Sequence, residues 1–206
     1  LEDWWTASGG GMGPGTFMNI NDGRRDRAAL FGEWEARLSP RWKTLAGLRY
    51  ERVRTDAGEV SGYRTSGADL GGQISEAAAF NARDRRKTDD NWDFAALARH
   101  QHDDTLDIEF GFAHKVRSPN LYERYTWSTW PMAATMNNFV GDGNGYVGDV
   151  DLRPEKAYTL SATFDRHAPD KRWAFKASPY FTMVDDYIDA VRRTGWAPDQ
   201  LNVLQY

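Results

Sequence analysis

The 206-residue sequence predicts an all-β fold, an antiparallel up-and-down meander of about seven strands. Three observations lead there. Apolar residues return at every second position in run after run, and the connections between runs alternate between tight and very long. No apolar stretch approaches the ~18 residues of a membrane helix, so only strands are left to cross a bilayer.

The elements follow in chain order. From Ala28 to Leu38 the residues Ala28, Leu30, Trp34, Ala36 and Leu38 oppose Glu33, Glu35 and Arg37, which gives a strand with one apolar and one polar face. Trp42–Arg54 is a weaker repeat of the same period, entered through the tight Ser39-Pro40-Arg41 turn. Trp92–His102 comes next, after a connection from Thr55 to Asn91 that is read as a loop. Asp103-Asp104 turns the chain into Thr105–Arg117, where Leu106, Ile108, Phe110 and Phe112 oppose Thr105, Asp107, Glu109 and Gly111. A second long loop, Ser118–Arg153, leads to Pro154–His167, and Ala168-Pro169-Asp170 turns into Lys171–Val184. The seventh strand is Leu201–Tyr206. Long and short connections therefore fall at opposite ends. Unstructured loops of more than thirty residues are uncommon in compact soluble domains, whereas membrane barrels separate long outer loops from short inner turns in this way.

Charge and composition exclude several function classes. With 26 basic against 30 acidic residues the net charge is −4, and no stripe is reserved for phosphate, so nucleic acid is not an expected partner. Without cysteine there are no disulfides, thiolate metal sites or Cys nucleophiles. No nucleophile elbow, HExxH, P-loop or helix-opening GxGxxG is present, and Asp185 and Asp186 point to opposite faces of a strand, so we expect no enzyme and no required cofactor. The mean hydropathy of −0.72 suits a barrel wall, half of which faces water.

Phe110–Phe164 carries a more specific signal: FGFAHKVRSPNLYERY, then a Trp-, Asn- and Gly-rich segment, then VDLRPEKAYTLSATF. It resembles the late barrel of TonB-dependent outer-membrane receptors, in which an Arg-Ser/Ala-Pro-Asn-Leu-Tyr-Glu run closes one strand and Asn/Asp-Leu-x-Pro-Glu opens the next. Here these are Arg117–Tyr122 and Leu152–Glu155. The strand-turn-strand from Arg24 to Glu51, with Gly47, Arg49 and Tyr50, and the run from Pro179 to Ile188 share the resemblance more weakly. It implies a 22-stranded transmembrane barrel embedded in outer-membrane lipid, with an internal plug through which the TonB complex drives uptake of a scarce solute. Residues 1–206 then form a partial barrel. The chain starts at Leu1 without an initiator Met, shows no plug or TonB box, and lacks a convincing Phe-terminated last strand, so we expect an interior segment.

The candidate ligand surface lies in the second long loop: Trp127, Trp130, Asn137, Asn138, Phe139 and Tyr146 offer stacking faces and amides to an organic ligand such as a ferric siderophore, or they order the loop. Met12, Met18, Met132 and Met136 fall in segments read as loops, where thioethers suit Cu(I); loop packing is the other reading. His100 and His102 share a strand face as a metal clip or a solvated rim, and Arg83–Lys87 is a basic run for an anionic chelate or lipid phosphate, or a self-paired loop. Asp142–Tyr146 has a calcium-like start but lacks the required Gly and Glu further on. A copper receptor, a passive porin and a soluble carbohydrate-binding β-sandwich are the alternatives.

Overall fold

The computed structural model describes residues 1–9, 14–170, 172–193 and 203–206. One twisted antiparallel sheet dominates, built from β3 (Arg24–Arg37), β4 (Trp42–Asp56), β5 (Lys87–Asp103), β6 (Leu106–Arg117), β8 (Glu155–His167), β9 (Ala174–Ala177) and β10 (Tyr180–Asp185). Its order is β10-β8-β6-β5-β4-β3, with β9 also on β8. β3, β4 and β5 extend beyond the predicted bounds at their loop ends, because polar residues there keep the ladder hydrogen bonds without keeping the apolar alternation.

Two of the seven predicted strands need correction. Lys171–Val184 is divided: β9 and β10 pair with β8 in one unbroken register, Ala177 opposite Phe164 and Tyr180 opposite Ser161, but Pro179 between them has no N–H to give the ladder. Lys171 lies outside the described residues. The stretch Leu201–Tyr206 is not in the wall. Its described part, β12 (Val203–Gln205), joins a small separate sheet, parallel to β7 (Gly145–Val147) and antiparallel to β11 (Val191–Arg192). Its alternation is too short to separate a wall strand from any other.

The two long connections also depart from loops. Thr55–Asn91 holds a 3-10 turn at Leu70–Gly72 and helix α1 (Gln73–Asn81); Ser118–Arg153 holds α2 (Leu121–Tyr125), α3 (Pro131–Met136) and β7. A hairpin of β1 (Asp3–Ala7) and β2 (Gly15–Ile20) precedes the wall and was not predicted. Together these pieces bury the main hydrophobic cluster, Phe17, Ile20, Ala57, Val60, Ala77, Phe80, Tyr125, Trp127, Ala133 and Val150. The core of the chain is thus in its loop layer and not between sheets.

That layer fixes the two faces of the wall. Odd-numbered residues at the loop ends of β4 and β5 are buried beneath it: Glu51, Val53, Thr55, Asp89 and Asn91. The even-numbered face, by the cross-strand register, carries Leu30, Leu48, Phe94, Phe112 and Leu160 and is open to the surroundings. Aromatic rows frame this apolar band. Near the loops Tyr50 packs on Trp92 (ring centroids 4.8 Å apart) and His114 on Tyr158 (4.7 Å); near the turns Trp42 stacks on His100 (4.5 Å). From Trp42 to Tyr50 at about 3.3 Å per residue, tilted by about 40°, the rows stand roughly 20 Å apart, close to the height of a barrel's lipid band. Among the described residues no helix is long and apolar enough to cross a membrane, which leaves strand crossing untouched.

Candidate functional site

The loop layer is held to the wall by the motif that stood out in the sequence. At the end of β6, Arg117 donates from Nη1 to both oxygens of Glu123 (3.0 and 3.1 Å) and from Nη2 to Glu155 (3.3 Å), joining one strand end, one helix and the next strand. Asn120 caps α2 in a reciprocal box: its side chain accepts from the Glu123 amide at 2.8 Å, and Glu123 accepts from the Asn120 amide at 2.7 Å. Pro119 precedes the cap, where a missing N–H costs nothing to the helix. One turn on, Arg124 is almost wholly buried and donates to Asp89 (2.9 Å), Thr55 (2.9 Å) and the Leu152 carbonyl (3.0 Å). Beside it the Tyr125 hydroxyl donates to the Arg85 carbonyl (2.8 Å) and shares a bond with the Thr55 hydroxyl (2.8 Å); burial pushes its pKa up. A buried, multiply bonded guanidinium is a brace: its Nη1 and Nη2 reach the wall and the segment just before β8, while its Nε is buried without a partner.

Most of the aromatic and amide residues proposed as a ligand surface are placed inside this layer. Trp127 lies in a near-parallel stack, Trp5 on Phe17 (4.9 Å) and Phe17 on Trp127 (5.0 Å), and its Nε1 donates to the Met18 carbonyl at 3.0 Å. Trp130 packs over Gly71, whose φ of +66° excludes a side chain and where a Cβ would meet the indole at 2.5 Å. Asn137 is buried, accepting from Asn19 (2.7 Å) and donating to the Tyr146 carbonyl (3.2 Å), so it bridges β2 and β7. Asn138 accepts from the Gly141 amide in a local turn. Tyr146 is buried, with its hydroxyl on Asp142 (2.5 Å); burial first, then that bond, pushes its pKa up to about 12, and the same bond holds the Asp142 carboxyl below its usual range. Phe139 is the one of the six that projects outward, its ring against Tyr122.

The methionines separate. Met18 is on β2 and half-buried, not in a loop. Met132 and Met136 sit at i and i+4 on α3, on one helix face, 37% and 56% exposed. Met12 lies outside the described residues. Among the described residues no cluster of three or more His, Asp or Glu has a metal-holding arrangement, and the Met132–Met136 pair offers two soft thioethers on one helix face. His100 spends its face on Trp42, with His102 edge-on at 6.1 Å. Of the basic run, Arg83 holds Asp149 and Asp151, Arg85 donates to the carbonyls of Ala57, Phe80 and Asn81, Arg86 reaches Asp56, and Lys87 reaches Asp151.

A cavity of about 240 Å³ opens where α1, the α2–α3 segment, β7 and β12 meet. Phe80, Trp127, Val147 and Val150 make its apolar floor, and Arg83, Arg193 and Gln205 stand at its polar side. Sequence reasoning missed it because its walls come from five separate stretches, none of which is a motif.

A model of the family described as TonB dependent receptor-like, beta-barrel matches residues 3–203. No curated protein sequence matches the chain. Among solved structures the fold is similar to that of the copper transporter OprC, with a TM-score of 0.58 and 18% identity over 89% of this chain. The chain spans 24% of the length of that structure, and at this identity the likeness is one of fold.

Proposed function

Because the chain belongs to the TonB-dependent receptor β-barrel family, we propose that it forms part of the wall and outer loops of an outer-membrane receptor that takes up a scarce solute at the expense of TonB-delivered energy. The observation that carries this reading is the division of the sheet into an apolar, aromatic-framed outer face and a charged inner face roofed by a folded loop layer. In such a receptor the loop layer and the plug domain capture the solute, and this chain contributes capture, not energy coupling. The plug and the other strands of a 22-stranded barrel belong to the parent protein in this reading.

Two cargo classes compete on specific features. A ferric siderophore suits the cavity at Arg193, whose guanidinium and apolar floor fit one anionic arm of a chelate, with Arg83 beside it held by Asp149 and Asp151. Copper suits the exposed Met132–Met136 pair, with further ligands from the plug, and the copper transporter among the similar folds agrees with it. The test is uptake of radiolabelled ferric chelates and of copper by cells expressing the full receptor, with and without TonB. TonB-dependent accumulation that falls in Met132→Ala/Met136→Ala assigns copper; a fall in Arg83→Gln/Arg193→Gln assigns the chelate. Recovery of the receptor in the soluble fraction would overturn the transport reading and favour a soluble sandwich.

A further inference from the structure

The inner face of the wall carries a row of like charges at its turn end. By the register Arg37 of β3 lies directly opposite Lys43 of β4, and Lys43 lies directly opposite Arg99 of β5. Neighbouring strands about 4.8 Å apart thus hold three cations side by side, an arrangement that destabilises a sheet. Arg41, from the Ser39-Pro40-Arg41 turn, joins them around a cleft of about 190 Å³ in which Asp107 is the one carboxylate. Trp42 and His100, one residue along, stack at the same height on the opposite face. The basic row therefore faces the barrel interior, where lipid does not reach it.

The charges of the cleft are unevenly matched. Arg99 donates to Asp107 at 2.6 Å. Among the described residues Arg37, Arg41 and Lys43 have no carboxylate within ion-pair distance. Glu35 and Glu109 face the same side, Glu35 opposite Leu45 and Glu109 opposite Arg99, yet neither bridges to those three. With these two flanks counted, four cations stand against three carboxylates, and the carboxylates lie at the edges of a row whose centre is basic throughout. The repulsion between Arg37 and Lys43 is left without an offset inside the chain, which points to an anionic partner at this end. In a barrel the short turns open to the periplasm, so the partner comes from there. A small anion touches two neighbouring cations at most. The row covers roughly 10 Å in two strand steps and ends on an exposed turn, which suits an extended segment whose alternate side chains, about 6.6 Å apart, are Asp or Glu.

We infer that this row is a docking site for an acidic, extended peptide segment of a periplasmic protein, with Arg37 and Lys43 as its central contacts and Arg41 at its rim. The inference rests on the reading of the sheet as barrel wall. It is independent of the cargo.

The experiment uses the full receptor in lipid nanodiscs, open to solution on both sides, and a fluorescein-labelled peptide of alternating Glu and Ser whose binding is followed by anisotropy. Arg37→Glu/Lys43→Glu should weaken binding by about tenfold or more, while Arg24→Glu/Arg86→Glu, an equal change of charge at the loop end, should leave it unchanged. Added salt should weaken binding to the wild type, because the contacts are exposed. Arg37→Gln/Lys43→Gln relieves the like-charge row, so it should lose the peptide and yet unfold at the temperature of the wild type or above it. This second variant decides the matter if the charge reversal fails to fold. No binding by the wild type, binding that salt does not weaken, undiminished binding by the Gln variant, or an equal loss in the loop-end variant overturns the inference. So does a lowered unfolding temperature of the Gln variant, which would make the row part of the wall's own structure. Displacement of the peptide by inorganic phosphate at matched ionic strength overturns it too, in favour of a small-anion site. Failure of the wild type to reach the outer membrane would sink the wall reading instead, so the two failures are told apart.

Discussion

Arg124, which acts as a structural brace, lies in the Phe110–Tyr125 stretch that carries the family resemblance, two residues past the Arg117–Tyr122 signature, and its guanidinium is buried on Asp89, Thr55 and a carbonyl. Arg124→Met leaves the Asp89 carboxylate buried without its partner and should cost about 3–5 kcal/mol, whereas Arg124→Met with Asp89→Leu should recover most of that loss. Thermal unfolding of the receptor followed in the loop layer checks this; equal destabilisation by both variants would contradict the brace. Asn120→Ala removes the capping box of α2 and should cost about 1 kcal/mol in the same assay. The Asp142–Tyr146 bond gives a pH dependence. The pKa of Tyr146, raised from 10.0 to about 12, contributes stability that is complete below pH 10 and is lost as pH rises through 12. The lowered carboxyl of Asp142 works the other way, contributing stability above its ordinary range that is lost in acid. Hydrogen exchange at β7 should therefore accelerate above pH 10, and Tyr146→Phe should abolish that alkaline step. At this scale the sequence identified residue types but not their destinations: Trp127, Asn137 and Tyr146 have the chemistry of a ligand surface, and only the fold reveals that Phe17, Asn19 and Asp142 already occupy them.

Strands were legible because a period of two is imposed wherever one face meets lipid and the other water. Thr105–Arg117 lies within a residue of the observed β6, and the turn expected at Asp103-Asp104 falls one residue later, at Asp104-Thr105, because Asp103 still closes β5. The loop layer was not legible. The helix α1 has little amphipathic pattern to detect, with Gln73, Ala77 and Phe80 buried, and α2 has only five residues. Their stability comes from contacts between distant segments, which a local pattern does not encode. The hairpin β1–β2 hides for the same reason: Trp5 stacks on its cross-strand partner Phe17, and it is Trp127, from a distant segment, that covers Phe17. Pro179 splits what would be one strand. The Ala162 amide still donates to the Pro179 carbonyl at 3.0 Å, but no N–H returns the bond. Pro179→Val should restore it and stabilise this edge by about 0.5–1.5 kcal/mol, seen as slower amide exchange along β8; faster exchange would contradict an intact register through the break.

For the whole molecule the central claim is that the even-numbered face of the sheet meets lipid while the odd-numbered face lines a roofed interior. The two faces differ by a single residue step, so a measurement with single-residue resolution is needed. The chain has no cysteine, which allows spin labels to be introduced one at a time in the full receptor reconstituted in bilayers. Scanning β6 from Ile108 to His114, accessibility to oxygen dissolved in lipid should alternate, high at Ile108, Phe110, Phe112 and His114 and low at Glu109, Gly111 and Ala113. Absence of that alternation, or its inversion onto the odd positions, would contradict the account.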